Sequence, residues 1–131
     1  RHLTRAVLEG VSFGLKDSVE LMRNLGVHPK EIVLYGGGTR SALWKQMLAD
    51  VFSSRCTMVN ALEGAAYGAA ILAAVGSGAF SSVEDACDQW IRQTEVVEPS
   101  GETSSYEKFY SIYRSLYPTL QETFRSLAAD R

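Results

Sequence analysis

Residues 31–50 constrain the fold of this chain more than any other stretch. Glu31-Ile-Val-Leu-Tyr35 is a short β-branched and aromatic run. Gly36-Gly37-Gly38 follows at once, then Thr39, Arg40 and Ser41, and then the amphipathic Ala42-Leu-Trp-Lys-Gln-Met-Leu-Ala-Asp50. This order predicts a buried strand, a tight turn and a helix. Glycines without Cβ atoms can take positive φ and let a ligand touch the backbone. The helix would point free N–H groups and its positive dipole end at the same place, which favours a nucleotide or another anion-bearing ligand. The turn is not a Walker A loop, because no Gly-x-x-x-x-Gly-Lys-Ser/Thr occurs. It is not a dinucleotide fingerprint either, since Ser41 stands where a third spaced glycine belongs. A tight strand-to-helix connection with no ligand is the alternative reading.

The spacing of apolar residues places elements on either side. Thr4 is a candidate N-cap for a helix from about Arg5 to Leu25, with Leu8, Val11, Leu15, Val19 and Met22 as its apolar stripe. Gly10 and Gly14, one turn apart, suggest a close backbone neighbour. Gly26 and Pro29 end the helix. Strands are expected over Ile32–Tyr35 and Cys56–Asn60, joined by a helix over Ser41–Phe52, which implies parallel pairing through a right-handed crossover. Glu63–Gly76 is a helix whose small stripe Ala65, Ala69 and Ala73, beside Ala66 and Gly68, should place it centrally or at a domain junction. Ser81 and Glu84 form a capping box for a helix to about Ile91, with Val83, Ala86, Cys87 and Trp90 inward. Val96–Gly101 reads as extended linker. From Ser104 a last helix carries Tyr106, Phe109, Tyr113, Leu116, Leu120, Phe124 and Leu127, broken or kinked at Pro118. Its tyrosines read as packing onto the rest of the chain rather than as base-stacking groups.

With 131 residues the chain has the size of a single domain, residues 1–131, able to bury roughly two-thirds of its unfolded surface. Its net charge of −2 argues against nucleic acid or an anionic membrane as partner. No apolar run nears the roughly 20 residues a spanning helix needs, and no leader is visible. Cys56 and Cys87 show no metal-ligand spacing and suit a reducing cytoplasm. The chain starts at Arg1 almost inside a helix, so it looks like part of something longer. Asp50, Glu63, Asp85 and Asp88 read as solvated helix face, helix start or caps. His2 and His28 lack ligand-spaced partners. Ser12, Ser41 and Cys56 have no base nearby in sequence. Trp44 and Trp90 read as core.

Four stretches together resemble the C-terminal lobe of FGGY-family carbohydrate kinases. His2-Leu3-x-x-Ala6-Val7-Leu8-Glu9 is similar to the closing half of the family's second signature, and Arg5–Val11 to the opening of its first helix. Gly36-Gly37-Gly38-x-x-Ser41-x-x-Trp44-x-Gln46-Met-Leu-Ala-Asp50 resembles the adenosine motif in its xylulokinase form. Glu63-x-x-Ala66-x-Gly68-Ala69-Ala70 resembles the hinge-helix motif. The resemblance implies a truncated α/β lobe of the actin/hexokinase/Hsp70-like (ribonuclease H-like) ATPase fold, with parallel strands flanked by helices and a helical C-terminus. It implies ATP-dependent phosphorylation of a sugar hydroxyl, D-xylulose to D-xylulose 5-phosphate, with Mg²⁺ assisting. Gly36, Gly37, Gly38 and Ser41 match nucleotide-contacting positions, by the adenosine and inner phosphates. The sugar pocket, phosphate hairpin and catalytic aspartate belong to family segments outside this chain, so no catalytic and no metal-binding residue is assigned here. The chain alone is expected to lack kinase activity and to hold nucleotide no better than about millimolar. An unpaired sheet edge would favour a homodimer. A sister kinase for ribulose, gluconate, glycerol or another polyol, and a non-catalytic binding module that kept the lobe, are the alternatives.

Overall fold

Helix α1 covers His2–Asn24 in the computed structural model, which describes residues 1–61 and 63–129. The helix begins before Thr4: Arg1 is the N-cap residue, and no side chain caps it. Its other end follows the sequence closely. Gly26 takes φ +83°, Gly26 N–H donates to Arg23 C=O at 3.0 Å and Val27 N–H to Met22 C=O at 2.9 Å, which is a Schellman stop.

The remaining elements are β1 (Ile32–Leu34), a 3₁₀ turn (Gly37–Arg40), α2 (Ala42–Phe52), β2 (Cys56–Val59), α3 (Gly64–Gly76), α4 (Val83–Trp90), β3 (Gln93–Val97) and α5 (Thr103–Ala129). Strands β1 and β2 pair in parallel, Ile32 opposite Cys56 and Leu34 opposite Met58, as the strand–helix–strand spacing requires. β3 adds an antiparallel partner to β2 in the order β1-β2-β3. It occupies part of what reads in sequence as linker. Gln93-Thr-Glu95 is polar and exposed, so this edge strand carries almost no hydrophobic signal. Its backbone ladder and an ion pair from Glu95 to buried Lys45 of α2 hold it.

The core lies between this sheet and α1, α2 and α5, with Ala49, Val51 and Cys56 wholly inaccessible. Helix α1 does not bury the stripe its spacing suggests. Leu8 and Val19 turn inward, but Val11, Leu15 and Met22 are exposed, and the buried face instead carries Ser12, Phe13 and Lys16. The reason is the partner helix. Phe13 packs at 5.5–6.5 Å from the rings of Tyr106, Tyr110 and Tyr113 on α5, and Lys16 pairs with Glu107 and lies over the Tyr110 ring. Two polar residues can be buried here because each finds a partner. Among the described residues no backbone approaches Gly10, and Gly14 faces only the Tyr113 hydroxyl.

Helix α5 runs unbroken through Pro118. Pro118 and Arg114, whose carbonyl loses its usual helical donor, are both exposed residues, and the turn is kept. Only the first half of its stripe packs: Tyr106 and Tyr110 are buried, whereas Phe109, Leu116, Leu120, Phe124 and Leu127 are exposed. The α4 cap sits one residue later than the Ser81/Glu84 pattern. Ser82 Oγ accepts from Asp85 N–H at 3.1 Å, and the Asp85 carboxylate accepts from the Ser81 hydroxyl at 3.1 Å. Asp85 also accepts from Gln89, and these hydrogen bonds, that from Gln89 foremost, draw its carboxyl below the usual range.

Burial, with the Glu98 charge nearby, pushes the Cys56 thiol up to about 11. At pH 8 it stays protonated and sealed in, so iodoacetamide should modify Cys87, which is partly accessible, and leave Cys56 intact until denaturant is added. Mass spectrometry counts the adducts, and a doubly modified native protein would contradict the packing described.

Candidate nucleotide-binding turn

The three glycines after β1 serve three different ends. Gly36 takes φ +93°, a conformation L side chains rarely adopt, and its carbonyl accepts both the N–H (3.1 Å) and the hydroxyl (2.8 Å) of Thr39. The turn is thus locked from within. Gly38 is a packing glycine. A Cβ there would lie 2.7 Å from Trp44 Cζ3 and 3.0 Å from Cε3, so the indole covers that Cα. Gly37 has neither reason. Its φ is unexceptional, and among the described residues a Cβ would meet nothing within 4 Å. The helix expected over Ser41–Phe52 is α2, with Ser41 as its N-cap, and the Gly37–Arg40 stretch before it forms one 3₁₀ turn that the sequence did not indicate. Ser41 Oγ accepts from Trp44 N–H at 3.3 Å, leaving its hydroxyl proton free to donate outward. Two successive helical starts therefore present N–H groups without intrahelical acceptors on one short stretch.

Two clefts lie near the elements that flank the turn, and neither is lined by Gly36, Gly37, Gly38 or Ser41. Leu43, in the first turn of α2, lines one of about 630 Å³ with Arg1, His2, Arg5 and Met47, walled by Tyr106. Arg5 is partly engaged, donating to Glu9 at 2.7 Å and to the Tyr106 hydroxyl at 3.3 Å. Tyr35 lines the other, of about 440 Å³, with Gly64, Gly68, Leu72 and Cys87. Gly64 is a second close-approach glycine, whose added Cβ would fall 2.6 Å from the Tyr35 ring. Beyond it α3 buries only Ile71, and Ala65, Ala66, Ala69, Ala70 and Ala73 form an exposed small-residue face. Among the described residues this helix is peripheral, not central.

The other candidates fall into structural positions. Asp50 is not on a solvated face. It is buried and accepts from Gln46, the Ser100 hydroxyl and the Ser100 N–H. Glu63 precedes α3 without capping it, Asp88 is exposed, and His2 and His28 are exposed at a helix start and in a loop. Cys56 is interior. Trp90 packs on Phe80 and Tyr67. Trp44 does more than fill core: half-buried, it touches the turn at Gly38 and at Ser41. Its position three residues after an N-cap serine was the one hint of this. Among the described residues no group of three His, Cys, Asp or Glu could hold a metal ion, and no helix is long and apolar enough to cross a membrane.

Residues 1–77 match the family model described as the C-terminal domain of the FGGY family of carbohydrate kinases, and the chain belongs to that family. It is similar to the xylulose kinase of Bacillus subtilis, 35% identical over the whole chain and 26% of that protein. Among solved structures it resembles a xylulose kinase from Rhodospirillum rubrum, with a TM-score of 0.77 and 32% identity over 95% of this chain and 25% of the other. A gluconate kinase from Lactobacillus acidophilus matches with a TM-score of 0.78 and 25% identity over 90% of this chain and 24% of that one. The fold is therefore the actin/hexokinase-like fold of these kinases, and the chain spans about a quarter of the length of the relatives it matches.

Proposed function

We propose that this chain is the nucleotide-binding part of an ATP-dependent sugar kinase whose complete form phosphorylates D-xylulose to D-xylulose 5-phosphate. Residues 1–131 form one lobe portion, with Gly36, Gly37, Gly38 and Ser41 as the nucleotide contacts. The observation that carries this reading is Gly37. Gly36 is required by its own φ and Gly38 by Trp44, whereas among the described residues nothing requires glycine between them. Open space beside the Gly37 Cα, next to the N–H groups of two consecutive helix starts, is where a ribose or phosphate oxygen can approach. The family membership and the xylulose kinase relatives point the same way.

The chain's contribution to phosphoryl transfer is positional. The turn fixes the nucleotide, and the exposed alanine face of α3 suits a surface that closes on another lobe and excludes water. ATP supplies the transferable phosphoryl group. Mg²⁺, when bound, would be held by the nucleotide's phosphates and water and would offset phosphate charge. No carboxylate here is assigned the base role.

Titration of the isotope-labelled chain with MgATP should move the Gly37 and Ser41 amide resonances. Gly37→Val should weaken binding by tenfold or more, about 1.4 kcal/mol. Its stability should change by no more than about 0.5 kcal/mol, since the added methyls enter open space. Equal binding by the variant would defeat the assignment. The gluconate kinase neighbour favours a sister sugar as second reading. Turnover of xylulose against gluconate by the complete protein decides between them.

A further inference from the structure

Resting on the nucleotide reading, we propose that Ser12 is a positioning residue for the glycine turn. From α1 its hydroxyl fixes the Trp44 indole, and the indole in turn holds Gly38 and the turn in register for ligand. Ser12 is wholly buried in mid-helix, where a serine has no packing advantage over alanine. Its Oγ donates to the Leu8 carbonyl at 2.8 Å, which sets the direction of its lone pairs, and it accepts the Trp44 Nε1–H at 3.1 Å. That indole N–H needs a partner once it leaves water, and Ser12 provides it.

The opposite edge of the same ring, Cζ3 and Cε3, occupies the space a Gly38 side chain would take. The Trp44 backbone N–H meanwhile bonds Ser41 Oγ. One residue therefore bears on α1, on Gly38 and on the α2 cap. Rotating the indole about its Cβ–Cγ bond breaks the Ser12 bond and lifts the ring edge from Gly38 together. Gly37, the open glycine, lies between the locked Thr39–Gly36 end and this buttressed end. Its N–H direction depends on both. A buried serine on α1 thus sets the geometry of a turn it does not touch.

A double-mutant cycle tests this with the 131-residue chain. Ser12→Ala removes the acceptor, and Trp44→Phe keeps an aromatic ring over Gly38 but removes the donor. Without nucleotide, each should shift the Gly37 and Gly38 amide resonances. With MgATP, each should weaken binding about fivefold, the scale of one neutral hydrogen bond. The double variant should be no worse than either single one, because both remove the same link. Val51→Ala, a core truncation away from the turn, serves as control: it should lower the melting temperature and leave those resonances and the affinity unchanged. Additive losses in the cycle, or glycine resonances unmoved in Ser12→Ala while its melting temperature falls, would overturn the inference. If the parent chain ignores MgATP, the nucleotide reading fails, and the ligand-free resonances still decide the role of Ser12.

Discussion

Phe13→Ala should cost about 3–5 kcal/mol of stability, a loss large enough to leave much of the chain unfolded at ambient temperature. Phe13 is 5% exposed and is the apolar contact that joins α1 to α5, with ring centroids 5.5 Å from Tyr113, 5.9 Å from Tyr110 and 6.5 Å from Tyr106. Truncation removes the transfer free energy of a phenyl group and leaves a cavity walled by three tyrosines, whose stiff rings cannot close it. The helices are also tied by polar contacts: Lys16 to Glu107, Arg5 donating to the Tyr106 hydroxyl at 3.3 Å, and the Tyr110 hydroxyl donating to Asp17 at 2.6 Å. That bond and burial both push the Tyr110 phenol well above its ordinary range, burial foremost, so it remains a donor at any working pH. Glu107 is more than half exposed, and a pair with one solvated partner adds little net stability. The phenyl group therefore dominates. Urea unfolding followed by circular dichroism gives the value, and a loss under 1 kcal/mol would show that α5 does not depend on this contact.

The same contact marks the limit of what the sequence reveals. Local rules found the ends and pairings that local chemistry decides: the Gly26 stop, the parallel β1–β2 pair and the glycine turn. They misjudged the buried face of α1, because periodicity counts apolar residues and cannot see that Ser12 and Lys16 have partners on other elements. They missed β3, whose polar residues are held by a ladder and by Lys45, neither of which is visible from its own composition. Pro118 looked like a break or kink because its missing N–H leaves the Arg114 carbonyl without its helical partner and its ring crowds that carbonyl, yet at this exposed position the helix continues through it. The glycine triplet was legible as a turn but not as a division of labour. Only the placement of the Trp44 ring separates Gly38, which packs, from Gly37, which stays open. The kinase reading rests on motif resemblance and family membership, whereas the geometry adds that Gly37, one of the matched glycines, has neither a φ nor a packing requirement among the described residues.

Asp50→Ala should destabilise the chain by about 2–3 kcal/mol, the scale of hydrogen bonds to a charged group. Asp50 is 3% exposed on α2, and its carboxylate holds the stretch that leads into α5. It accepts from the Ser100 N–H, from the Ser100 hydroxyl at 3.0 Å and from Gln46 at 3.2 Å, while Gln46 also donates to the Glu98 carbonyl at 3.0 Å. Ser100 then organises the helix start, its carbonyl accepting the Thr103 hydroxyl at 3.2 Å and its hydroxyl the Glu102 N–H at 3.3 Å. Alanine removes the acceptor from the centre of this arrangement. The first turns of α5 should then exchange their amide hydrogens faster, whereas β1 and β2 should keep their protection. Asp50→Asn keeps the shape but turns an NH₂ group toward a donor, so it should fall between. The consequence for function separates two roles for a carboxylate within the adenosine-like motif. An acid–base residue of the proposed kinase would lose several orders of magnitude in turnover on amide substitution. A staple that sits behind α2 should cost the complete enzyme at most a few-fold in kcat, with its melting temperature lowered. A collapse of kcat in Asp50→Asn at unchanged stability would move this residue from the scaffold into the chemistry.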